Sequence, residues 1–210
     1  LSMGADAAMT WDAALAPWDE AASLEGVFAT PLHEVVFPKP AFEDAELAAQ
    51  DAALTATQNA QPGIGVTSLS LLALMEAIEL APSAVTGHSF GEVTAPAAAG
   101  ALTRDAAIRV ARRRGELMAE AASIPGAMTA VSASVEDVKA ALSPWPDDVV
   151  VANHNHPTQV VLSGPTDAIE ATEARLRAAK LRSSRLAVAT AFHSSVGARS
   201  TAPVRAFLAD

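Results

Sequence analysis

From Pro62 onward the apolar residues Ile64, Val66, Leu69, Leu71, Leu72, Leu74, Met75 and Ile78 fall on most sides of a helix, which predicts a buried helix ending before Pro82. Ahead of it, residues 1–60 space their apolar positions irregularly. With prolines at 17, 31, 38 and 40, they read as helical and loop material. After it, Ala84-Val85-Thr86 reads as a short strand, Gly87 to Gly91 as a sharp turn, and Glu92 to Ala99 as a helix of small residues. Pro96 should kink that helix, because its ring removes a backbone donor. Thr103 is a good N-cap for a helix over residues 104–122.

The pattern changes over residues 126–190. Ala127 to Ala133 is strand-like, and Ser134 caps a helix through Leu142, with Asp137 three residues on. Val149 to Ala152 reads as strand, Asn153 to Pro157 as a turn, and Gln159 to Leu162 as strand. Pro165 opens a helix to about Leu181, and Arg185 to Val188 is a last strand. The order β-α-β-β-α-β is the ferredoxin-like arrangement. This stretch carries no chemistry of its own and reads as an inserted subdomain. The flanking residues 1–125 and 191–210 then make one catalytic subdomain, so the fold class expected is α/β.

Composition narrows the classes. Half of the 210 residues are apolar and 18% are charged, which excludes a disordered chain and a coiled coil. The absence of cysteine excludes disulfides, thiolate nucleophiles and Cys-ligated metals. A net charge of −10 argues against nucleic acid as a partner. Residues 1–100 hold one cation, Lys39, against 13 acids, whereas residues 101–210 hold 13 cations against 11 acids. An acidic partner should therefore dock on the second half, near Arg175, Arg177, Lys180, Arg182 and Arg185. The most apolar run, Ile64 to Met75, is too short to span a membrane and is followed by Glu76 and Glu79. Asp6 and Asp12 stand where a signal peptide needs basic residues, so a cytoplasmic protein with no membrane partner is expected. A chain that opens on Leu1 and stops at Asp210, just after Val204, Phe207 and Leu208, reads as a piece of a longer polypeptide.

Three residue types carry candidate chemistry. Gly87-His88-Ser89-Phe90-Gly91 fits G-x-S-x-G, in which a strand-to-helix turn lifts the serine hydroxyl out of the backbone. The Phe90 N–H, at a helix N-terminus, would then face an oxyanion. On the following helix Arg114 is four residues from both Val110 and Met118, in the middle of an apolar stripe, while Arg112 and Arg113 point elsewhere. A guanidinium there needs a carboxylate, either an internal Asp or Glu or one brought by a substrate. Five histidines are candidates for a base: His33, His88, His154, His156 and His193. His88 is constrained by the turn, and His154 and His156 flank Asn155 with no third metal ligand in view. His193 follows the last strand of the inserted unit, a plausible place for a base facing the serine.

Taken together, these residues resemble the malonyl-CoA:acyl carrier protein transacylase family, including the acyltransferase domains of polyketide and polyunsaturated fatty acid synthases. The matching pieces are Gln61-Pro62, Gly87-His88-Ser89-Phe90-Gly91-Glu92, Arg114-Gly115 with Leu117-Met118, Asn153 to Pro157 with Gln159 to Gly164, and Ala191-Phe192-His193-Ser194. The resemblance implies Ser89 as nucleophile, His193 as base, Phe90 as oxyanion donor and Arg114 as ligand of the malonyl carboxylate. Gln61, His88 and Asn155 would line the pocket, and Phe192 would exclude a 2-methyl branch. The implied fold is an α/β-hydrolase-like core with an inserted ferredoxin-like subdomain, truncated at both ends. The family's Gly-Gln-Gly-Ser-Gln segment, which supplies a second oxyanion donor, would lie before Leu1. Pro96 and His156 depart from the family's pattern, which has Ser at the latter position.

The implied activity moves a malonyl group from malonyl-CoA through a Ser89 ester to the phosphopantetheine thiol of an acyl carrier protein. No metal and no bound cofactor are required, and the chain would be part of a larger multidomain synthase. Two other classes stand beside this one. A serine esterase would need an acid between Ser89 and His193, and Asp147, Asp148 and Asp167 all lie in the inserted unit. The other is an inactive carrier-docking fragment.

Overall fold

The computed structural model describes residues 2–121, 125–188 and 190–209. The chain divides into two compact units, residues 1–119 and 120–210.

The first unit is built from helices: α1 (Ala5–Thr10), α2 (Asp12–Ala22), α3 (Leu32–Val36), α4 (Asp44–Thr55), α5 (Thr57–Ala77), α6 (Gly91–Ala98) and most of α7 (Arg104–Ala121). The long α5 is the helix expected and starts one turn before Pro62, but it is not buried on most sides: Val66 and Leu69 are buried, whereas Ile64, Leu71, Met75 and the C-cap Ile78 are exposed. Its Val66 and Leu69 join Ala8, Trp18, Ala21, Leu32, Val36 and Ile108 in one core. The Trp18 and Phe37 rings meet at 4.5 Å between centroids, a tilted pairing favoured by their quadrupoles. Ser70 donates its hydroxyl to the Ala14 carbonyl, so a buried polar group on α5 is satisfied by α2. Thr103 caps α7 as expected, its Oγ1 accepting from the Ala106 N–H at 3.1 Å. The expected final residue of that helix, 122, lies outside the described residues.

A further expectation fails in this unit. Ala84-Val85-Thr86 forms no strand; its side chains are exposed, and every strand among the described residues belongs to the second unit. A strand exists only against a partner that takes its backbone N–H and C=O groups, whatever its own pattern. Pro96 ends α6 within two residues, and its carbonyl accepts from Ala101 N–H at 2.8 Å and Leu102 N–H at 3.2 Å.

The second unit runs β1 (Gly126–Val131), α8 (Val135–Ala141), β2 (Val150–His156), β3 (Gln159–Pro165), α9 (Thr166–Ala178), β4 (Ser183–Arg185), α10 (Ser195–Ala198) and α11 (Thr201–Ala209). The four strands form one antiparallel sheet in the order β2-β3-β1-β4. Val131, Val160, Leu162, Val138, Leu142, Ile169 and Leu176 pack between the sheet and α8 and α9. Ser134 caps α8 reciprocally, accepting from the Asp137 N–H at 3.1 Å and donating to its carboxylate at 2.7 Å.

Here three boundaries shift. The turn expected over Asn153–Pro157 shrinks to Pro157-Thr158, because β2 continues through His156 by way of two irregularities in its pairing with β3. The last strand is Ser183–Arg185 rather than Arg185–Val188, since it pairs with Thr129 to Val131 of β1. Residues 191–210, expected to rejoin the first unit, group with the second. The reason is local packing: a Cβ on Gly126 would lie 2.6 Å from the Ala191 Cβ, so β1 and the segment at 191 are in direct contact.

Candidate active site

The serine turn is set by one glycine. A Cβ on Gly87 would lie 2.1 Å from the carbonyl carbon and oxygen of Gly91 and 2.5 Å from the Glu92 nitrogen, so no other residue fits there. Gly91 faces open space and has no such role. Ser89 itself takes φ 55°, the left-handed region that a non-glycine residue rarely occupies. The chain then winds directly into α6, with Gly91 N–H on His88 O at 2.9 Å, Glu92 N–H on Ser89 O at 3.1 Å and Val93 N–H on Phe90 O at 2.9 Å. Phe90 is the N-cap residue of α6, in the region where backbone donors lack intrahelical acceptors and the helix dipole is positive. Its ring packs on α5, where a Cβ on Gly65 would come within 3.2 Å of Cζ. His88 is exposed.

Arg114 lies beside the buried face of α7, not in the middle of it: that face is Ala107, Ile108, Ala111, Gly115 and Leu117, while Val110, Arg114 and Met118 are half-buried. A Cβ on Gly115 would lie 2.5 Å from Thr57 O and 2.6 Å from Gln58 Cα, so glycine lets α7 touch the start of α5. That approach brings Arg114 to Gln61: Nη1 donates to Oε1 at 2.6 Å. The other end of the amide, Nε2, points to Met118 Sδ at 3.4 Å. Among the described residues, Gln61 is the one hydrogen-bond acceptor of Arg114. Burial pushes the guanidinium below its ordinary value, and the charge of Glu92 works against that.

Internal carboxylates instead take the neighbouring cations. Arg109 pairs with Asp105 at 2.6 Å, and Glu116 takes both Arg112 at 2.8 Å and Arg113 at 3.0 Å. Arg112 also donates to Gln58 O and Asn59 Oδ1 and lies over the Phe28 ring.

Ser89, Phe90, His88, Gln61 and Arg114 belong to the first unit; Asn155, Phe192 and His193 belong to the second. Within the second unit, His193 is exposed on a turn, at φ 56°. The turn is closed by Phe192 N–H on Thr190 O at 3.1 Å and Ser194 Oγ–H on Ala191 O at 2.7 Å. Ser194 then caps α10 through the Val196 N–H at 3.2 Å. Phe192 is half-buried. Asn155 is exposed on β2, one residue from the hairpin turn. His156 Nδ1 serves that turn, accepting from the Thr158 N–H at 3.2 Å beside its hydroxyl at 3.0 Å, and His33 lies exposed on α3.

Two members of the basic patch expected around α9 have hydrogen-bond partners within the unit. Arg185 is held by both oxygens of Glu173 at 2.9 Å, and Arg175 donates to Pro144 O at 2.8 Å. Arg177, Lys180 and Arg182 are exposed. Ser163, buried on β3 and bonded to the Phe192 carbonyl at 2.7 Å, had no role assigned from sequence. A hydroxyl within the apolar run Val160-Val161-Leu162 was the available signal.

Comparison with known proteins places this geometry. Residues 2–210 match the acyl transferase domain family. Polyketide synthase GfsA of Streptomyces halstedii is 34% identical over 179 residues, covering 84% of this chain and 2% of that synthase. The crystal structure of the acyltransferase domain from the second module of the salinomycin polyketide synthase is 33% identical and superposes with a TM-score of 0.81, covering 98% of this chain and 45% of that one. A malonyl-transacylase, PlMCAT, solved with the type II polyketide synthase acyl-carrier protein AntF, is 27% identical with a TM-score of 0.86, over 100% of this chain and 65% of that one. The chain thus spans a small part of the synthase and less than two thirds of either solved chain. With a match over 209 of its residues, the chain belongs to the acyl transferase domain family.

Proposed function

We propose that this protein transfers malonyl groups from malonyl-CoA to the phosphopantetheine thiol of an acyl carrier protein, as part of a polyketide or fatty acid synthase. The observation that carries this reading is the state of Arg114. It is a partly buried guanidinium, held by the neutral amide of Gln61, with no internal carboxylate hydrogen-bonded to it among the described residues. A desolvated cation in this state favours an incoming carboxylate, and malonyl-CoA carries one.

The chemistry then follows a two-step route. Ser89 Oγ attacks the thioester carbonyl while His193 takes its proton. The oxyanion forms against the Phe90 N–H at the start of α6. The C–S bond breaks, the CoA sulfur recovers the proton from His193, and a malonyl ester remains on Ser89. The carrier thiol next gives its proton to His193 and attacks that ester, and the proton returns to Ser89 as the C–O bond breaks. Arg114 holds the malonyl carboxylate throughout, and Phe192 limits the space beside the α-carbon. His88 and Asn155 line the pocket in this reading, and no metal or bound cofactor takes part. In this reading the helices of the first unit belong to a hydrolase-like subdomain, and the sheet of the second is the ferredoxin-like one.

Intact-mass spectrometry after incubation with malonyl-CoA tests the proposal. A single stable malonyl adduct, absent in Ser89→Ala, is the expected result. Release of free malonate without an adduct would make the protein a hydrolase, and neither adduct nor release would remove the activity.

A further inference from the structure

The segment that carries His193 meets the sheet at Gly126 of β1, where Ala191 packs, and at Ser163 of β3. β3 is buried on both faces, which a strand in a sheet covered by helices on one side alone is not. Val160 and Leu162 point into the core under α8 and α9. Val161 and Ser163, offset by one, project from the opposite face. There Ser163 Oγ, fully buried, donates to the carbonyl of Phe192 at 2.7 Å. That carbonyl belongs to the peptide that joins Phe192 to His193.

His193 holds φ 56° although it has a side chain, and such a conformation persists only where surrounding contacts enforce it. Hydrogen bonds local in sequence also shape the turn: Phe192 to Thr190, Ser194 to Ala191, and Val196 to Ser194. The Ser163 bond spans 29 residues and ties the turn to the central part of the sheet. Gly126, on the neighbouring strand β1, lets Ala191 come close enough for that bond to form.

We infer that Ser163 is a positioning residue for His193. Its hydroxyl fixes the Phe192–His193 peptide plane, and with it the direction in which the imidazole leaves the backbone. This rests on His193 being the base in the reading above. Ser163 itself touches no substrate. Alanine at 163 removes one oxygen from a fully buried site and leaves the apolar packing in place, so the fold should survive while the peptide gains freedom.

The test is a double-mutant cycle in the intact protein. It reads single-turnover acylation by malonyl-CoA together with the His193 ring Cε1–Hε1 NMR signal. Ser163→Ala should slow acylation about tenfold at saturating malonyl-CoA, with little change in half-saturation, and should broaden or split the ring signal. Ser163→Thr, which keeps the hydroxyl, should restore a single signal and most of the rate. In a His193→Ala background, Ser163→Ala should have no further effect, because both act through one group. An unchanged rate and ring signal in Ser163→Ala, beside an impaired His193→Ala, would overturn the inference and leave the base assignment standing. Additive losses in the cycle would also overturn it, by making the role of Ser163 general stability. An unimpaired His193→Ala would instead remove the base assignment and the inference with it.

Discussion

Gln61 and Arg114 lie 53 residues apart and meet at 2.6 Å, the amide oxygen of one accepting from Nη1 of the other. The contact depends on Gly115, which lets α7 close on α5, and on Met118, which takes the opposite end of the amide. A neutral acceptor at this position orients the guanidinium without cancelling its charge. A glutamate would orient it equally well and neutralise it. In the proposed function, the pair would tie selection of a dicarboxylic substrate to a single atom type at residue 61.

Arg114→Ala should invert acyl preference, with malonyl loading falling relative to acetyl by about 1.5–3 kcal/mol, or roughly 10–100-fold, the worth of hydrogen bonds to a charged group. Gln61→Glu should move the ratio the same way, although it preserves shape and the bond to Nη1. Competition between malonyl-CoA and acetyl-CoA, read as the ratio of serine adducts by mass, measures both. Equal losses for the two acyl groups would make Arg114 a structural residue.

The two glycines of the serine turn should respond differently. Gly87→Ala puts a Cβ 2.1 Å from the Gly91 backbone, which cannot move aside without opening the turn. It should cost about 1–3 kcal/mol, as overpacking does, and remove labelling of Ser89 by a serine-directed fluorophosphonate. Gly91→Ala meets nothing within 4 Å and places a better helix former at the start of α6, so labelling and melting temperature should hold. Loss of labelling in both variants would mean that Gly91 has a role that the geometry does not disclose.

Transfer to an acidic carrier should depend on Arg177, Lys180 and Arg182, the exposed cations at the end of α9 and beyond it. Reversing these charges to Glu should slow transfer and flatten its dependence on ionic strength, since rim charges act mainly on the encounter rate. Loading from malonyl-CoA should be insensitive to salt by comparison. Stopped-flow transfer rates across a salt series decide it, and an unchanged slope in the triple reversal would move the docking surface elsewhere.

Glu173 should contribute to the pH dependence of stability. Its hydrogen bonds with Arg185, helped by the nearby charge of Arg177, hold its carboxyl below the ordinary glutamate range. A lowered folded value means that the stabilisation is present above the unfolded value, about 4.3, and is lost as pH falls through the folded one. Arg185 is exposed and Glu173 half-buried, so the worth of the pair is about 0.2–1 kcal/mol. Glu173→Gln should lower the melting temperature at pH 7 and leave it nearly unchanged only at a pH low enough to protonate Glu173 in the folded protein. A deficit of equal size at both values would assign the effect to packing.

Local pattern alone determined much of this protein. A helix at α5, the Thr103 and Ser134 caps, and the strand and helix order from Gly126 to Arg185 all follow from spacing and capping chemistry. These depend on neighbours within a few residues, which a sequence displays directly. The extent of β2, the absence of a strand at Ala84–Thr86 and the grouping of residues 191–210 with the second unit were decided by partners far away in the chain. So were the Gln61 amide on Arg114 and the Ser163 hydroxyl on the peptide before His193. Hydrogen bonds across 53 and 29 residues exist only after two elements have packed, and whether they pack closely enough turns on single Cβ atoms at Gly115 and Gly126. The sequence names the groups that can react. Tertiary contact sets how each is oriented, because a side chain's direction comes from the backbone that holds it and from what holds that backbone in turn.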